Sequence, residues 1–575
     1  MTRRTPPPPL LSQQTSAKSM TPKPDPRPIL LAEKRDVGGV RGILSAYGLH
    51  DLDQADRNLN AMAGDPIQRR RLADVLPMLM ESISRTADPD QALNHWERML
   101  EGVSRTSFLD YLRDWPRMLD LLCVIFGNSD ALTLTILRDP TLVYWLAEEK
   151  VSSKPPTRKR MERTLGESIG HLIAKELKLD ALRRFQRREM LRIGVRDLLR
   201  LATVPETTSS LSDLACLMIH AAYEIVDADL KRQYGVPMHR NKRGQWCETK
   251  FAVIGMGKLG GHELNYSSDV DLLYIYESDD GETRAQGPRR ADKPAGVGIS
   301  NEEYFEILSR ELTRVLTEPT REGHVFRVDL RLRAEGSVGQ LARSLSSYQR
   351  YYLARGQTWE RLALLKASPI AGSPELGTAF VKAVKPFIFG VGKKLPGLIE
   401  TSAVIEEVRA VKDMIDGKMA DRGHEHRNVK LGTGGIREIE FFVQTLQVLV
   451  GRHLPAVVDK STLGALERFA HWKLISTQVK EELTAAYLFL RDVEHKLQMV
   501  HDLQTHSLPS DEYELERCAT RMGYGTEDRK KAAALFLEDH QRHTTVVHRT
   551  FQSLFLEPKI PPALGTTLRV RKAKR

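Results

Sequence analysis

The spacing of apolar residues divides the chain into two helical regions that flank a short segment of strands. Over residues 32–242 apolar residues recur at i, i+3, i+4 and i+7, as in "DLLCVIFGNSDALTLTILRD" and "LSDLACLMIHAAYEIVDADLKRQY". This period predicts amphipathic helices. It returns after residue 373 and continues to residue 555, with one long helix predicted over residues 478–506.

Between the helical regions the pattern is that of short buried strands. Strands are predicted at "FAVIGM" (251–256), "DVDLLYIYE" (269–277) and "VFRVDLRLR" (325–333), after a polar link, "RNKRGQWCETK". A loop, "SDDGETRAQGPRRADKPAGVG", precedes a helix that opens with a capping box formed by Ser300 and Glu303. The apolar face of that helix consists of Tyr304, Leu308, Leu312 and Val315. The pattern indicates a mainly α chain with a central α+β domain.

Five segments follow from these patterns. They are a disordered Pro-rich tail (1–31), an N-terminal helical domain (32–242), an α+β domain (243–373), a C-terminal helical domain (374–558) and a basic tail (559–575). The first segment lacks the apolar region of a signal peptide, and runs such as "LLCVIF" fall short of the ~20 residues of a membrane span. The four cysteines show no C-x-x-C spacing. We expect a cytoplasmic protein with no membrane partner.

The charge balance suits an anionic partner. Lys and Arg number 86 against 75 Asp and Glu, a formal net charge of +11. A nucleotide, an RNA or an acidic protein would fit such a balance. Part of the excess lies in "MTRR" and "RVRKAKR", where a solvated tail is the simpler interpretation. Because no basic groove interleaved with aromatic residues is evident, nucleic acid is not the expected partner.

A literal G-x-G-x-x-G, formed by Gly255, Gly257 and Gly260, follows the first predicted strand. A dinucleotide-binding unit needs a helical crossover of at least ten to twelve residues to a parallel strand. Only residues 261–267 separate the last glycine from the next predicted strand. The motif is therefore interpreted as a glycine turn and not as a dinucleotide fingerprint.

Three carboxylates follow that turn. Asp269 and Asp271 are spaced i, i+2 on a predicted strand, so both project from one face. Asp329 adds a third on another strand, and its face also carries Arg327, Arg331 and Arg333. Close carboxylates repel one another unless a cation such as a hard divalent metal lies between them. The set predicts a two-metal site for phosphoryl or nucleotidyl transfer. The alternative interpretation is that Asp269 and Asp271 only cap the strand and that Asp329 pairs with its neighbouring arginines.

Several longer stretches form a recognisable set: "GMGKLGGHELNYSSDVDLLY", "FRVDLRLRAEGSVGQLARSLSSYQRYY", "GQTWERLALLKASPIAG", "KLGTGGIREIEFFVQTLQVL", "RREMLRIGVRDLL" and "LRDVEHKLQMVHDLQTHSLP". In order and spacing this set, over residues 180–509, resembles the bacterial glutamine synthetase adenylyltransferase/adenylyl-removing enzymes. That family carries two polymerase-β-like nucleotidyltransferase modules in tandem, whereas this sequence has the motif set once. The resemblance implies that fold between helical domains, two Mg²⁺ ions, and ATP, ADP and phosphate as substrates or products.

Two features resemble the adenylyl-removing half of the family. That half carries GGxELNxSSD and GGIREIEF, and Asn265 and "IREIEF" (436–441) agree with it. The resemblance then implies phosphorolytic removal of AMP from an adenylylated tyrosine of glutamine synthetase, with release of ADP. ATP-dependent adenylylation of glutamine synthetase is the alternative. Ala334 stands where the family usually shows proline, a change expected to affect only a turn.

The resemblance also implies roles for individual residues and partners. Asp269, Asp271 and Asp329 would be the catalytic metal ligands. The groups around the phosphates would be Gly257, Lys258, Gly260, Gly261, Ser268, Arg331 and Arg333. Residues of the outer site or the substrate contact would be Arg437, Glu438 and Glu494. The expected partners are glutamine synthetase and a signalling regulator protein.

Other polar positions have weaker interpretations. In the long helix a stripe is interpreted as a solvated face; it consists of Arg491, Glu494, His495, Gln498 and Asp502. Trp359 and Glu360 are expected to be a core residue and a cap, and His424 and His426 are not expected to bind metal without further ligands. Lys430 and three glycines precede a helix start, a suitable anion site.

Two other functions stay open. An RNA nucleotidyltransferase of the same superfamily would suit the basic balance. A catalytically inactive module could bind glutamine synthetase or a signalling protein without turnover. The three carboxylates argue against the inactive module, because a protein that only binds has no need of them.

Overall fold

The computed structural model describes residues 23–33, 36–148, 154–284, 298–390, 406–410, 427–501, 503–525 and 527–556. Contacts divide the chain into two compact units. The first unit comprises Met1–Pro156, Arg187–Thr207 and Asp492–His540, and the second unit comprises Thr157–Gln186, Thr208–Arg491 and Gln541–Arg575. The linear domain boundaries expected from the sequence remain a prediction.

The predicted helical regions are confirmed. Before the strands lie α1 (Pro28–Leu31), α2 (Val37–Ala46), α3 (Leu52–Ala63), α4 (Pro66–Ser84), α5 (Pro89–Glu101), α6 (Arg105–Asp114), α7 (Pro116–Phe126), α8 (Asp130–Arg138), α9 (Leu142–Ala147), α10 (Arg158–Ile169), α11 (Lys175–Leu198) and α12 (Val204–Tyr234). Side chains of Asp51, Asp65 and Asp88 cap three of them by accepting backbone N–H bonds. No helix in the described ranges is both long and apolar enough to cross a bilayer.

The strands and their short helices belong to the second unit. They are β1 (Val236–Arg240), β2 (Trp246–Glu248), β3 (Phe251–Gly255), α13 (Gly257–Gly260), β4 (Val270–Tyr276), β5 (Glu282–Arg284), α14 (Asn301–Thr317), β6 (Val328–Asp329), β7 (Ala342–Ser344), α15 (Leu345–Ala354), α16 (Thr358–Leu364) and β8 (Ser368–Gly372). One sheet has the order β2-β1-β5, and the other has the order β6-β4-β3-β8, with β7 also paired to β4.

The helices after the strands are α17 (Pro374–Phe389), α18 (Ile436–Gly451), α19 (Thr462–His471), α20 (Thr477–His501), α21 (Glu512–Arg521) and α22 (Arg529–Leu556). α20 ends five residues before the predicted limit. α11 and α20 each contribute residues to both compact units.

The core of the larger sheet forms on β3 and β4, which are almost completely buried. They pair antiparallel, with Phe251 opposite Tyr276, so the glycine turn does not lead into a parallel crossover. This confirms that the G-x-G-x-x-G is not a dinucleotide fingerprint. α14 covers the sheet: Phe305 stacks on Phe251 and on Tyr276, and Ser300 caps the helix as predicted.

Four local predictions are wrong. β1 lies within the region predicted to be helical, the expected polar link before β3 contains β2, and the expected loop contains β5. The strand expected over residues 325–333 is limited to Val328–Asp329. The chain turns there because Arg331 donates its backbone N–H to the carboxylate of Asp329 and Arg333 donates to backbone carbonyls. These local bonds override the period-2 pattern.

The stripe on α20 that was interpreted as a solvated face is buried instead. Arg491, Glu494, His495 and Gln498 have no exposed surface, and Asp502 lies outside the described residues. Buried charges need partners. Arg491 donates to the carbonyl of Glu263 at 2.6 Å, and His506 contacts Glu494 at 2.9 Å.

Smaller expectations had mixed outcomes. Glu360 forms the predicted cap in a capping box with Gln357, but Trp359 is 41% exposed and is not a core residue. Ile29 and Leu30, from the expected tail, are buried in α1. The predictions for His424, His426, residues 1–22 and the basic tail from residue 559 fall outside the described residues.

Candidate active site

Asp271 and Asp329 lie side by side on neighbouring strands. β4 and β6 pair in parallel, with Val270 opposite Val328 and Asp271 opposite Asp329. Register partners project from the same face of a sheet. The structure therefore brings together carboxylates that are 58 positions apart in the sequence.

Arginines hold the carboxylates on either side of Asp271. Arg327 donates from Nε to Asp269 Oδ1 at 2.9 Å. Arg331 donates from Nε to both oxygens of Asp329, at 3.1 and 2.9 Å. Burial disfavours the charge of Asp329, but the bonds with Arg331 outweigh it and hold the pKa of this carboxyl below its ordinary value. The Arg331 side chain is 78% exposed, so its pair with Asp329 is a surface pair of low strength.

Asp271 carries a poorly compensated charge. Burial, together with the charges of Asp329 and Asp269, raises the pKa of Asp271 to about 6, against the opposing effect of Lys430 and Arg437. A further positive charge beside this carboxylate would stabilise its ionised form. The two opposing cations come from the segment that leads into α18 and from its first turn.

The donor set suits a hard divalent cation, since Mg²⁺ prefers carboxylate oxygens. Within the described ranges, no three His, Cys, Asp or Glu side chains are grouped to hold a metal ion. Arg327 and Arg331 occupy two of the three carboxylates. For Asp271 and Asp329 to hold a metal, Arg331 would have to leave Asp329, and for Asp269 to join them Arg327 would also have to leave Asp269.

Gly257 leaves space beside Asp271. Its φ is +53°, and a Cβ at this position would lie 2.4 Å from Asp271 Oδ2. Both the backbone conformation and the close approach require glycine. Lys258 and Ser268, the other polar residues expected near the phosphates, are half-buried at either end of the connection between β3 and β4.

Gly260 and Gly261 have a different requirement. A Cβ on Gly260 would lie 2.1 Å from the carbonyl oxygen of Lys366, and one on Gly261 would lie 3.0 Å from that of Lys460. Close backbone packing alone accounts for both glycines. Their expected place around the phosphates stays a prediction.

Arg333 is occupied within its own turn. It is buried and donates to the carbonyls of Gly339 at 3.0 Å, Leu330 at 2.8 Å and Ser337 at 2.8 Å. A guanidinium has five N–H donors, and these contacts involve all three of its nitrogens. Arg333 therefore fixes the turn after β6, and its expected place near the phosphates stays a prediction.

The expected outer residues occupy different places. Arg437 is half-exposed and contacts Glu440 at 3.4 Å. Glu438 is buried beside His548, 3.2 Å away. Glu494 belongs to the first unit, where it contacts His506, whereas the three aspartates belong to the second unit.

Sequence reasoning missed a buried lysine next to the glycine turn. Lys366 contacts Glu263 at 2.8 Å and Glu440 at 3.7 Å. The available signal was a single charge within the apolar run "LALLKASPIAG". Such a charge must be paired if the run is buried.

Comparisons with known proteins show the family to which the chain is similar. The family model described as glutamate-ammonia ligase adenylyltransferase matches residues 119–383, and the model described as GlnD PII-uridylyltransferase matches residues 409–555. Three relatives are named bifunctional glutamine synthetase adenylyltransferase/adenylyl-removing enzyme. Those of Nitrosococcus oceani, Rhizobium meliloti and Streptomyces coelicolor are 36%, 35% and 33% identical over 77%, 84% and 84% of this chain.

The chain belongs to the glutamate-ammonia ligase adenylyltransferase family. It spans 43%, 47% and 44% of the lengths of these three relatives, about half of each. All three site aspartates lie within the segment matched by the adenylyltransferase family model. Arg437, Glu438 and Glu494 lie within the segment matched by the uridylyltransferase model.

Proposed function

We propose that this chain is a metal-dependent nucleotidyltransferase that removes AMP from an adenylylated tyrosine of glutamine synthetase, with phosphate as acceptor and ADP as product. The observation that carries the proposal is the register of β4 and β6, which sets Asp271 opposite Asp329. The names of the relatives support glutamine synthetase as the substrate. Asn265 and "IREIEF" support the removing direction.

In this proposal Asp271 and Asp329 hold the metal, and Arg331 leaves Asp329 to contact a phosphate group. When bound, Mg²⁺ supplies positive charge that stabilises the oxygens around the reacting phosphorus. Gly257 keeps the space beside Asp271 open, since any Cβ there would meet the carboxylate. A second ion would need Asp269, which Arg327 holds.

The reaction forms one bond to phosphorus and breaks another. An oxygen of inorganic phosphate attacks the phosphorus of the tyrosine–AMP diester, the bond from phosphorus to the tyrosine oxygen breaks, and that oxygen takes up a proton. Lys430 and Arg437, whose charges act on Asp271, would offset the negative charge of the transferred group. Lys258, on the glycine turn, would add a third cation.

The test uses the full chain with Mg²⁺ and two substrate mixtures. With adenylylated glutamine synthetase and phosphate, the proposal predicts release of ADP. With unmodified glutamine synthetase and ATP, it predicts no incorporation of AMP. Incorporation in the second mixture alone would replace the removing direction with adenylylation. Absence of turnover in both mixtures would overturn the proposed activity.

A further inference from the structure

A buried lysine joins the glycine turn to two helices. Lys366 is 5% exposed, and its Nζ lies 2.8 Å from Glu263 Oε2, just beyond the turn. The same Nζ lies 3.7 Å from Glu440 Oε1 on α18 and 3.4 Å from Thr462 Oγ1 at the start of α19. A single cation thus contacts three segments that are far apart in the sequence.

Glu263 has a full set of partners around this lysine. Its Oε1 accepts the backbone N–H of Thr462 at 2.6 Å and the hydroxyl of Ser461 at 3.1 Å. Its backbone carbonyl accepts Arg491 Nη2 at 2.6 Å. The residue that ends the glycine turn is therefore fixed through both its side chain and its main chain.

The turn also packs directly on Lys366. A Cβ on Gly260 would lie 2.1 Å from the carbonyl oxygen of Lys366, and one on Gly261 would lie 3.1 Å from its Cδ. At Gly260 this approach leaves no room for a side chain, and at Gly261 a side chain would require Lys366 to shift by a few tenths of an ångström. The position of Lys366 consequently sets the position of the turn that carries Gly257 and Lys258.

On its other side the lysine is linked to the cations around Asp271. Glu440, which Lys366 contacts, also contacts Arg437 at 3.4 Å. Arg437 is one of the two cations whose charge acts on Asp271. The path from the glycine turn to Arg437 therefore runs through two buried side chains, Lys366 and Glu440.

We propose that Lys366 is a positioning residue for nucleotidyl transfer, which holds the glycine turn and Arg437 in one fixed arrangement around Asp271. This inference rests on the proposed function. Lys366 is not a catalytic residue, since its amino group is occupied by Glu263, Glu440 and Thr462. Removal of one partner from a buried ion pair is destabilising, so a loss of stability alone does not distinguish a positioning residue from a purely structural one.

The experiment compares Lys366→Met with Lys231→Met in the full chain. Lys231 is a matched control in the second unit: it lies between two carboxylates, Asp227 at 2.6 Å and Glu248 at 2.8 Å, and belongs to α12. Both variants lose a lysine that bridges two acids. The readouts are the midpoint of thermal unfolding, the affinity for ADP with Mg²⁺, kcat and KM for phosphate, and amide hydrogen exchange of residues 257–264.

We expect both variants to lose thermal stability, but only Lys366→Met to lose function. Its kcat should fall about 100-fold, the scale of a 1 Å misplacement, and its ADP affinity should fall about tenfold. Exchange should quicken at the turn amides of Gly260, Gly261 and Glu263, which bond to the carbonyls of Met256, Gly257 and Lys258. Lys231→Met should keep kcat, ADP affinity and turn exchange within twofold of the unmodified chain.

A folded Lys366→Met with kcat and turn exchange within twofold of the unmodified chain would overturn the proposal. Should Lys366→Met fail to fold, Glu440→Gln decides, because it keeps the shape of the side chain and leaves Lys366 paired with Glu263. A tenfold loss of kcat/KM in Glu440→Gln supports the proposal, and an unchanged value overturns it. If the unmodified chain shows no turnover, the proposed function fails, while turn exchange still reports whether Lys366 fixes the turn.

Discussion

Asp329 lies opposite Asp271 in the parallel pairing of β4 and β6, so two carboxylates meet at one point of the sheet. Such a pair is unfavourable on its own, because like charges a few ångströms apart repel. The exposed Arg331 relieves part of this repulsion through Asp329. We infer that a metal ion can replace the guanidinium of Arg331 as the positive charge beside Asp329.

Replacing Asp271 with asparagine should abolish turnover without harming the fold. Asn has the same shape but lacks the charge that a metal requires, and its neighbours Asp329 and Asp269 no longer meet a third like charge. We expect kcat to fall at least ~1000-fold and the thermal midpoint to stay equal or rise. Activity and calorimetry on the same preparation check both parts. A variant that retains tenfold-reduced turnover would show that Asp271 is not a metal ligand.

Arg331→Ala should change metal and phosphate binding, whereas Arg333→Ala should lower the stability of the fold. Arg331 is exposed, and Asp329 is the only side chain in the described ranges to which it is shown to bond. Its removal should therefore tighten Mg²⁺ binding while raising KM for phosphate about tenfold. Arg333 is buried and donates to three carbonyls, so its removal should destabilise the chain by about 3 kcal/mol. Metal titration by calorimetry and denaturant unfolding distinguish the two. Equal metal affinities in Arg331→Ala and the unmodified chain would contradict the replacement of this guanidinium by a metal ion.

The buried Glu440 should make the fold sensitive to acid. Burial disfavours its charge, but Lys366, Arg437, Lys258 and Lys430 outweigh burial and lower its pKa to about 2. A carboxyl with a depressed folded pKa stabilises the fold above its unfolded pKa of 4.5, and this stabilisation is lost as the pH falls toward 2. The difference corresponds to about 3 kcal/mol.

Urea unfolding of the unmodified chain and Glu440→Gln between pH 6 and pH 2.5 measures this effect. The glutamine cannot titrate, so the stability advantage of the unmodified chain should be greatest near pH 6 and should shrink below pH 4.5. A constant difference across this range would show that Glu440 does not have the low pKa assigned to it.

Arg491→Met should be far more destabilising than Arg549→Met. Arg491 is fully buried and donates to Tyr487 at 2.9 Å, to the carbonyl of Glu263 and to Asn265. Its loss leaves these acceptors buried, at a cost of about 3 kcal/mol. Arg549 is 68% exposed in its pair with Glu482, where a loss below about 1 kcal/mol is expected. Similar losses in denaturant unfolding would contradict the structural role of Arg491.

The sequence was sufficient to predict the helical regions, β3, β4 and that no parallel crossover follows the glycine turn. Their signals are local: apolar period, a capping box at Ser300 and the short spacing between Gly260 and β4. The length of β6 was not predictable in this way, because bonds made by Arg331 and Arg333 end the strand inside an alternating pattern.

The candidate site was only partly predictable, because local patterns select its residues but do not show which of them lie together. Strand periodicity singles out Asp269, Asp271 and Asp329 as candidates, whereas Asp269 lies just before β4 and the register that pairs the last two is visible only in the sheet. Arg491 and Glu494 have the spacing of a solvated helix face, yet both are buried, and so is Glu440. Their burial depends on partners from distant segments, such as Glu263 and Lys366, which a pattern along one helix does not contain.

The most direct test is the position of a bound metal. Crystals of the full chain soaked with Mn²⁺ and ADP, measured at the manganese absorption edge, should show an anomalous peak within about 2.5 Å of carboxylate oxygens of both Asp271 and Asp329, with Arg331 turned away from Asp329. A map without a peak between these two residues, or with Arg331 still on Asp329 beside bound ADP, would contradict the account.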